Sequence, residues 1–162
     1  MGNLSLRMTG DWKRAGITLK NLAVKLYPAF SAKIYEDGEM VLERMKDHIY
    51  NQDLNWTPLS ENTIRIKGGD TTIMIDTGTL VDGLTVRRIK SSVKGSTIFV
   101  GASPWKTHGP SGMKMSDIMI WLEYGTDKLP PRPLMQPTME EVEHLLQKGW
   151  TEFLKDLVEK GG

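Results

Sequence analysis

The sequence predicts a single α+β domain, in which a small antiparallel sheet packs with a long helix in the N-terminal half and a long C-terminal helix. Apolar residues recur at steps of three and four in the first and last thirds of the chain, as in amphipathic helices. Between them, residues 84–90 and 97–101 alternate and are rich in β-branched side chains, as in strands. The length of 162 residues, with 39% hydrophobic and 25% charged residues, fits one domain over residues 1–162.

The composition argues against several classes of site and partner. The chain has no cysteine and only three histidines, so we expect no disulfide framework, no metal site and no cofactor. Its 21 basic and 20 acidic residues give a net charge of +1, which lacks the basic footprint of a nucleic-acid-binding protein. No apolar stretch approaches the ~20 residues that span a bilayer, and no signal-peptide core opens the chain. We therefore expect no membrane partner.

The first third of the chain predicts a short strand followed by two helical segments. Residues 4–9 alternate between apolar and polar side chains, with the period of a half-buried strand. Asp11 is suited to cap the helix that follows, and Tyr27–Pro28 is expected to break or bend that helix. A second, long amphipathic pattern then crosses Gly38 at some cost in helix stability. The apolar positions of the two patterns are Trp12, Ala15, Leu19, Leu22, Leu26, Ile34, Val41, Leu42, Met45 and Ile49.

The middle of the chain predicts two short helices. The segment Trp56–Ser60 leads into the first, with Ser60 or Thr57 as its N-cap. Residues 67–70 are expected to form a plain turn, because they lack the spacing of a phosphate-binding loop. The second short helix is expected over residues 73–80, opening at a capping Asp or Thr.

The last 80 residues predict a hairpin, a loop and two helices. The two strands are expected to join across residues 91–96. Residues 102–116 are rich in Gly, Pro and Ser, which favours an exposed loop available to a partner. The compact apolar segment 117–124 is expected to be helical and to stop at Gly125. From about Leu134 the chain forms its most regular helical pattern, whose apolar stripe is Val142, Leu145, Leu146, Trp150, Phe153, Leu154, Leu157 and Val158.

Two groups of residues are open to both a functional and a structural interpretation. His108 and Ser111 are a candidate base and nucleophile of a hydrolase, but no nucleophile-elbow sequence surrounds them, so a connecting loop is favoured. Arg87, Arg88 and Lys90 form a local basic stretch that suits DNA phosphates. Charges that protect an edge strand from aggregation explain the same stretch equally well.

Four tryptophans and one arginine are candidates for core or contact positions. Trp121 and Trp150 lie on apolar helical faces and are expected in the core. Trp56 and Trp105 flank loops, so a core role and a partner-contact role are both open for each. Arg132 stands between prolines on a stiff segment, which predicts an exposed guanidinium suited to grip a carboxylate.

Five segments of the sequence occur in a recognisable order. They are Trp56–Ser60 with Thr63 and Lys67, then Asp76–Leu80, then Val100–Gly101, then Leu122–Thr126, and finally Pro131–Leu134 with Pro137. In this order and at this spacing they resemble the tail-completion or head-to-tail joining (neck) proteins of long-tailed bacteriophages, over about residues 3–142. The chain departs from the family pattern at Tyr124 and Leu134, where members commonly have Phe.

The resemblance implies a structural virion protein of the neck, without catalytic activity, that is assembled in the host cytoplasm. Its implied partners are further copies of itself in a homohexameric ring, the head-closure or connector protein, and the tail tube or terminator protein. DNA would pass through the ring without sequence-specific binding, with Arg87, Arg88 and Lys90 as possible lumen-facing residues. The residues expected at subunit or partner interfaces are Trp56, Leu59, Lys67, Trp105, Gly125, Arg132 and Pro133.

Other functions remain open at the level of sequence. A tail terminator or a head-closure protein would occupy a neighbouring ring with different partners, and the sequence does not separate these roles. A DNA-binding accessory protein is disfavoured by the near-neutral net charge. A hydrolase is disfavoured by the absence of a recognisable nucleophile and base.

Overall fold

The structure is a computed structural model that describes residues 10–92 and 95–161. Within these residues, five helices and one two-stranded antiparallel sheet confirm the α+β class. The strand predicted over residues 4–9 lies outside the described residues. No helix in the described ranges is both long enough and apolar enough to cross a membrane. In chain order the elements are α1 (Trp12–Asn51), α2 (Glu61–Ile66), α3 (Thr79–Gly83), β1 (Leu84–Ser92), β2 (Gly95–Ala102), α4 (Met115–Tyr124) and α5 (Met135–Gly161).

Helix α1 is one continuous helix of 40 residues. Asp11 caps it as predicted, since its Oδ1 accepts a hydrogen bond from the backbone N–H of Arg14 at 3.0 Å. Of the two outcomes expected at Tyr27–Pro28, the break is wrong, because Pro28 lies inside the helix. A proline removes one backbone hydrogen bond, and the packing of the following turns against the sheet and α5 outweighs that loss. The helix ends at Asn51, and its C-cap Gln52 has a left-handed backbone.

Strands β1 and β2 form the predicted hairpin. Their register pairs Leu84 with Ala102 and Ser92 with Gly95, and a β-bulge interrupts it between Arg88 and Lys90. An isolated two-stranded sheet is marginally stable in water. Here one face of the hairpin packs across α1, which supplies the missing apolar layer.

Gly38 lies where α1 packs closely against the hairpin. A Cβ at this position would lie 2.9 Å from Val86 Cγ1 and closer still to Ile98 Cδ1. Glycine inside a helix normally costs stability relative to alanine. At Gly38 the missing side chain lets the sheet reach the helix, so the predicted cost is offset by packing.

Helix α5 lies antiparallel along α1. Near its beginning, Glu141 accepts two hydrogen bonds from Arg44, at 2.8 and 2.9 Å. Towards its end, Trp150 and Phe153 pack on Phe30, with ring centroids 5.8 and 5.3 Å apart. Residue numbers thus rise along α5 as they fall along α1, which fixes the antiparallel direction.

The hydrophobic core lies between the C-terminal half of α1, α3, the hairpin, α4 and the start of α5. The core position expected for Trp121 is wrong, since Trp121 is 38% exposed on the outer side of α4. Trp150 is half-buried in the aromatic cluster with Phe30 and Phe153 rather than in the main core. The most deeply buried apolar side chains are Met45, Ile49, Met115 and Leu134.

The two short helices match the sequence prediction unequally. Ser60 caps α2, because its Oγ accepts a hydrogen bond from the N–H of Thr63 at 3.2 Å. The helix expected over residues 73–80 is wrong in its boundaries, since only Thr79–Gly83 is helical. Its N-cap is Gly78, in a left-handed conformation, and no Asp or Thr side chain caps it.

The loop between β2 and α4 is shorter than predicted. Ala102 ends β2 and Met115 begins α4, and both are buried, so the loop covers residues 103–114 rather than 102–116. Thr107 and Lys114 form an isolated bridge across it. Residues that the sequence assigned to an exposed loop are therefore anchored at both ends by core side chains.

Candidate functional site

Three of the five resemblance segments meet in one cluster, although up to 77 residues separate them in sequence. We call it the motif clamp; it comprises residues 56–58, 122–125 and 131–134. Trp56 is 8% exposed, and its indole N–H donates to the carbonyl oxygen of Pro133 at 2.7 Å. Of the two roles that the sequence left open for Trp56, the structure places it in the core.

Arg132 lies at the centre of the motif clamp and is 4% exposed. Its guanidinium donates to the carbonyl oxygen of Thr57 at 2.8 Å and to that of Pro58 at 3.1 Å. Burial lowers the pKa of Arg132 from its ordinary value, which is high enough that the group stays charged. The exposed guanidinium predicted for Arg132 is therefore wrong: the side chain is buried and donates to two backbone carbonyl groups.

Glu123 caps helix α5 from a different helix. Its carboxylate accepts hydrogen bonds from the backbone N–H groups of Leu134, Met135 and Gln136, at 2.7, 2.9 and 3.0 Å. The first N–H groups of a helix have no partner within it and form the positive end of its dipole. The negative charge of Glu123 therefore ties α4 to the start of α5.

Gly125 ends α4, as predicted, with a φ of +74°. A Cβ at this position would lie 2.8 Å from the carbonyl oxygen of Leu129 and 2.9 Å from the backbone nitrogen of Pro131. Both a left-handed backbone and the absence of a side chain are needed there. Gly125 thus lets the chain turn sharply enough to bring residues 131–134 back onto α4.

An open apolar groove lies next to the motif clamp, between α2, residues 72–78 and α4. Its cavity volume is about 330 Å³. Two of the predicted interface residues, Leu59 and Lys67, line it, and Ile66 lies 76% exposed at its rim. The other apolar lining residues are Met74, Ile75, Leu80, Met115, Ile118 and Leu122.

The charge of Lys67 is neutralised beside this apolar groove. Its Nζ lies 3.1 Å from Asp70 and donates to the carbonyl oxygen of Thr72. Hydrogen bonds from the backbone and the hydroxyl of Thr72, and then from Lys67, lower the pKa of Asp70 to about 2. Because the ammonium is held at this turn while its stem lines the groove, the groove suits an apolar side chain better than an anion.

His108 and Ser111 lie beside the groove and are joined by a hydrogen bond. His108 Nδ1 is 2.8 Å from Ser111 Oγ, and His108 Nε2 is 3.9 Å from Asp76, an acid that the sequence did not connect with the pair. The Asp76 side chain is 63% exposed, and 3.9 Å is too long for the hydrogen bond that orients a catalytic imidazole. Backbone hydrogen bonds join His108 to Met113 and to Gly112 in the same turn, so the geometry is that of a closed turn.

The predicted basic stretch is divided between two faces of the hairpin. The guanidinium of Arg87 lies 3.9 Å from the ring centre of Trp105, on the open face. The guanidinium of Arg88 lies 4.9 Å from the ring centre of Tyr35, on the face towards α1. Successive side chains of a strand point to opposite faces, so these two charges do not form one patch. Trp105 is 71% exposed and Lys90 is exposed.

A polar network around the buried His48, which the sequence did not indicate, fastens α1 to α5. His48 is 2% exposed. Its Nδ1 lies 2.6 Å from a carboxylate oxygen of Asp53. Its Nε2 lies 3.1 Å from a carboxylate oxygen of Glu141, but the geometry is not that of a hydrogen bond. The hydrogen bond with His48 lowers the pKa of Asp53. The hydrogen bond with Glu141 raises the pKa of Arg44. These groups hold the start of α5 against the end of α1.

Long-range contacts explain why sequence reasoning missed Glu123 and His48. The partners of Glu123 lie 11 to 13 residues further along the chain, beyond any helical period. Only the resemblance directed attention to its segment. Nothing in the sequence indicated His48, because its acidic partner Glu141 comes from the other long helix.

The geometry as a whole offers binding surfaces and a rigid scaffold. The motif clamp fixes α4 and α5 against residues 56–58, and the apolar groove and the open face of the hairpin remain accessible. Within the described residues, no group of three His, Asp or Glu side chains is arranged to hold a metal ion. Comparisons with protein-family models, with curated proteins and with solved structures find no match to this chain.

Proposed function

We propose that the chain is a structural virion protein that forms a ring and joins the head connector of a long-tailed bacteriophage to its tail tube. The proposal begins from the resemblance of the five segments to neck proteins. A homohexamer in the neck of the virion, without catalytic activity, is the form that the resemblance implies.

The observation that carries the proposal is the convergence of these segments in space. The segments at 56–60, 122–126 and 131–134 meet in the motif clamp through Trp56, Arg132 and Glu123. The segment at 76–80, with Thr63 and Lys67, lines the adjoining apolar groove. A set of motifs that builds one connected part of a fold is more specific than the same motifs scattered over a surface, which supports the resemblance.

The surfaces left open also suit a subunit of an assembly. The apolar groove of about 330 Å³ has the size and lining of a site for one or two apolar side chains of a neighbouring protein. Trp105, 71% exposed on the hairpin, is the kind of residue that anchors protein interfaces. Leu59 and Lys67 stay proposed interface residues through the groove. Arg132, Gly125 and Pro133 would act by holding the scaffold beneath it.

The test is electron microscopy of particles from a phage that carries an early stop codon in this gene. We expect filled heads beside unattached tails of normal length, because a missing joining ring leaves both structures complete but separate. Tails of uncontrolled length would instead assign the chain to the tail terminator. Heads that lose their DNA would assign it to head closure. Normal infectious virions would contradict the proposal.

A contact between the ring lumen and DNA is a separate part of the proposal. Arg87, Arg88 and Lys90 are its candidates, although Arg87 and Arg88 lie on different faces of the hairpin. Replacing all three with Gln is expected to slow DNA ejection while leaving particle assembly intact. Unchanged infectivity and DNA ejection would contradict the lumen role and leave the joining role unaffected.

The two alternatives from other classes have direct tests. Salt-dependent binding of the purified chain to DNA would favour a DNA-binding accessory protein. A hydrolytic activity that is lost on His108→Ala would favour an enzyme. The closed turn around His108 leads us to expect no such activity. The near-neutral net charge leads us to expect no such DNA binding.

A further inference from the structure

The first 14 residues of α1 form an arm that no described residue covers. We call residues 12–25 the N-terminal arm; every side chain described within it is exposed. At 1.5 Å per residue, the arm is about 21 Å long. A helix of this length is marginal on its own in water. Its large apolar side chains are nevertheless 49–66% exposed: Trp12, Ile17, Leu19, Leu22 and Val24.

The apolar stripe of the arm continues the face on which α5 packs. Phe30, which contacts Trp150 and Phe153 of α5, follows Leu19, Leu22 and Leu26 at helical steps of three and four. The face of α1 that α5 covers at residue 30 is therefore exposed further towards the N-terminus. An apolar surface that no described residue covers marks a site of interaction with another molecule.

The charge of the arm restricts the occupant. The arm contains four basic residues and no acidic residue. Two arms placed side by side would bring like charges together in an interface, which is unfavourable. The occupant must therefore present an acidic surface with apolar side chains at its centre.

Such a surface is present at the other end of the same fold, on α4 and the start of α5. Tyr124, Ile120 and Met139 are 79%, 54% and 43% exposed. Two adjoining clefts, of about 310 and 380 Å³, share Tyr124, Glu123 and Met135. Residues 115–143 contain six acidic residues against two basic ones. Arg132 is buried, Glu123 caps α5 and Glu141 pairs with Arg44, which leaves four exposed acids against Lys128. We call this the acidic cleft surface; its exposed acids include Asp117, Glu140 and Glu143.

An arm cannot reach the acidic cleft surface of its own chain. The pair of Arg44 with Glu141 fixes the start of α5 beside the C-terminal end of α1. About 28 Å of continuous helix separates residue 25 from Arg44. The arm is the N-terminal end of α1, and the acidic cleft surface lies beside the C-terminal end of the same helix. The two surfaces can therefore meet only between two molecules.

We infer that the N-terminal arm of one copy docks on the acidic cleft surface of a second copy. Such a contact joins two different surfaces and is heterologous, which is the kind that closes into a ring when the rotation between copies permits it. The inference deepens the proposed function and rests on it only for the closure of the ring. The contact itself follows from the two surfaces of this chain.

Disulfide cross-linking tests the contact cleanly, because the chain has no cysteine of its own. Leu19→Cys on the arm and Tyr124→Cys on the acidic cleft surface are both at exposed positions. We expect a mixture of the two purified variants to form a cross-linked dimer on oxidation, and neither variant alone to do so. The double variant is expected to form a ladder of larger species, since each copy has both surfaces.

Charge reversal adds a matched control. Lys20→Glu with Lys25→Glu is expected to lower the yield of the mixed dimer about tenfold. Glu140→Lys with Glu143→Lys on the other partner is expected to restore it. Lys148→Glu, an exposed change outside both surfaces, should leave the yield unchanged.

Four results would overturn the inference. Cross-linking of Leu19→Cys with itself would show arm-to-arm pairing, and a double variant that stops at a dimer would show a closed twofold pair. No mixed dimer from folded protein would show that the two surfaces do not meet. Binding of the arm to vesicles of anionic lipid, lost on charge reversal, would assign it to a membrane surface instead. A mixed dimer with a normal stop-codon phage would refute only the proposed function.

Discussion

Trp56 and Arg132 of the motif clamp are buried, whereas the large apolar side chains of the N-terminal arm are exposed. In the motif clamp, Trp56 and Arg132 bind backbone carbonyl groups of segments more than 70 residues away. In the arm, Trp12 and Leu19 occupy apolar positions with the correct helical spacing and remain more than half exposed. Periodicity thus predicts which face of an element is apolar, whereas the partner of that face depends on the rest of the fold or on another molecule.

The largest expected effect is at the turn that closes the motif clamp. Gly125→Ala should destabilise the protein by about 3 kcal/mol, because a left-handed backbone is combined with a Cβ too close to main-chain atoms. Gly68→Ala is the control, with a similar φ of +68° and open space, and should cost about 1 kcal/mol. Equal losses in chemical denaturation would show that the close approach at Gly125 is not as described.

Removal of the buried guanidinium should have the next largest effect. Arg132→Ala leaves the carbonyl groups of Thr57 and Pro58 without their donor and should cost about 2–4 kcal/mol. Arg65→Ala removes an exposed arginine bonded only to the side chain of Asn62 and should cost less than about 0.5 kcal/mol. If thermal unfolding shifts equally in both variants, Arg132 does not hold the clamp together.

A pair of glycines in α1 compares its packed half directly with the arm. Gly38→Ala should destabilise the protein by about 1–3 kcal/mol, since its Cβ would press on Val86 and Ile98. Gly16→Ala, in the arm with nothing within 4 Å, should instead stabilise it by about 0.5–1 kcal/mol. A stabilising effect at Gly38 would show that the hairpin does not pack where the structure places it.

The smallest expected effect is a loss of stability in acid. The pKa of Asp53 is lowered from 3.8, chiefly by its hydrogen bond with His48, so the folded state holds the carboxylate more strongly than the unfolded state. That contribution is present above pH 3.8 and is lost as the pH falls through the lower folded pKa. Denaturation followed from pH 5 to pH 3 should therefore show a smaller loss in Asp53→Asn than in the natural chain. An identical pH profile would contradict the link to His48.

The features that sequence predicted correctly are those set by nearby residues. The caps at Asp11 and Ser60 and the helix stop at Gly125 depend on contacts within a few positions, so the local sequence is enough to predict them. The continuity of α1 through Pro28 and the burial of Arg132 depend on distant segments. Local propensity therefore did not exclude a break at Pro28 and gave the wrong outcome at Arg132.

The candidate site likewise has one part that the sequence pointed to and another part that only the structure revealed. The resemblance pointed to the segments that build the motif clamp. It also implied Leu59 and Lys67 as interface residues, which stays a prediction. The cap of α5 by Glu123 and the division of Arg87 from Arg88 follow from how elements pack and from strand alternation in the observed register. Both required the three-dimensional arrangement.

Restoration of joined particles in vitro is the most direct test of the joining role. Purified chain would be added to an extract of stop-codon infection that contains filled heads and free tails, and infectious titre would be measured. The account predicts that titre rises with added protein, and that the arm variant Lys20→Glu with Lys25→Glu restores much less. A control extract must first be shown to join the heads and tails in the stop-codon extract. If the titre then stays at background after the folded natural chain is added, the proposed joining role is contradicted.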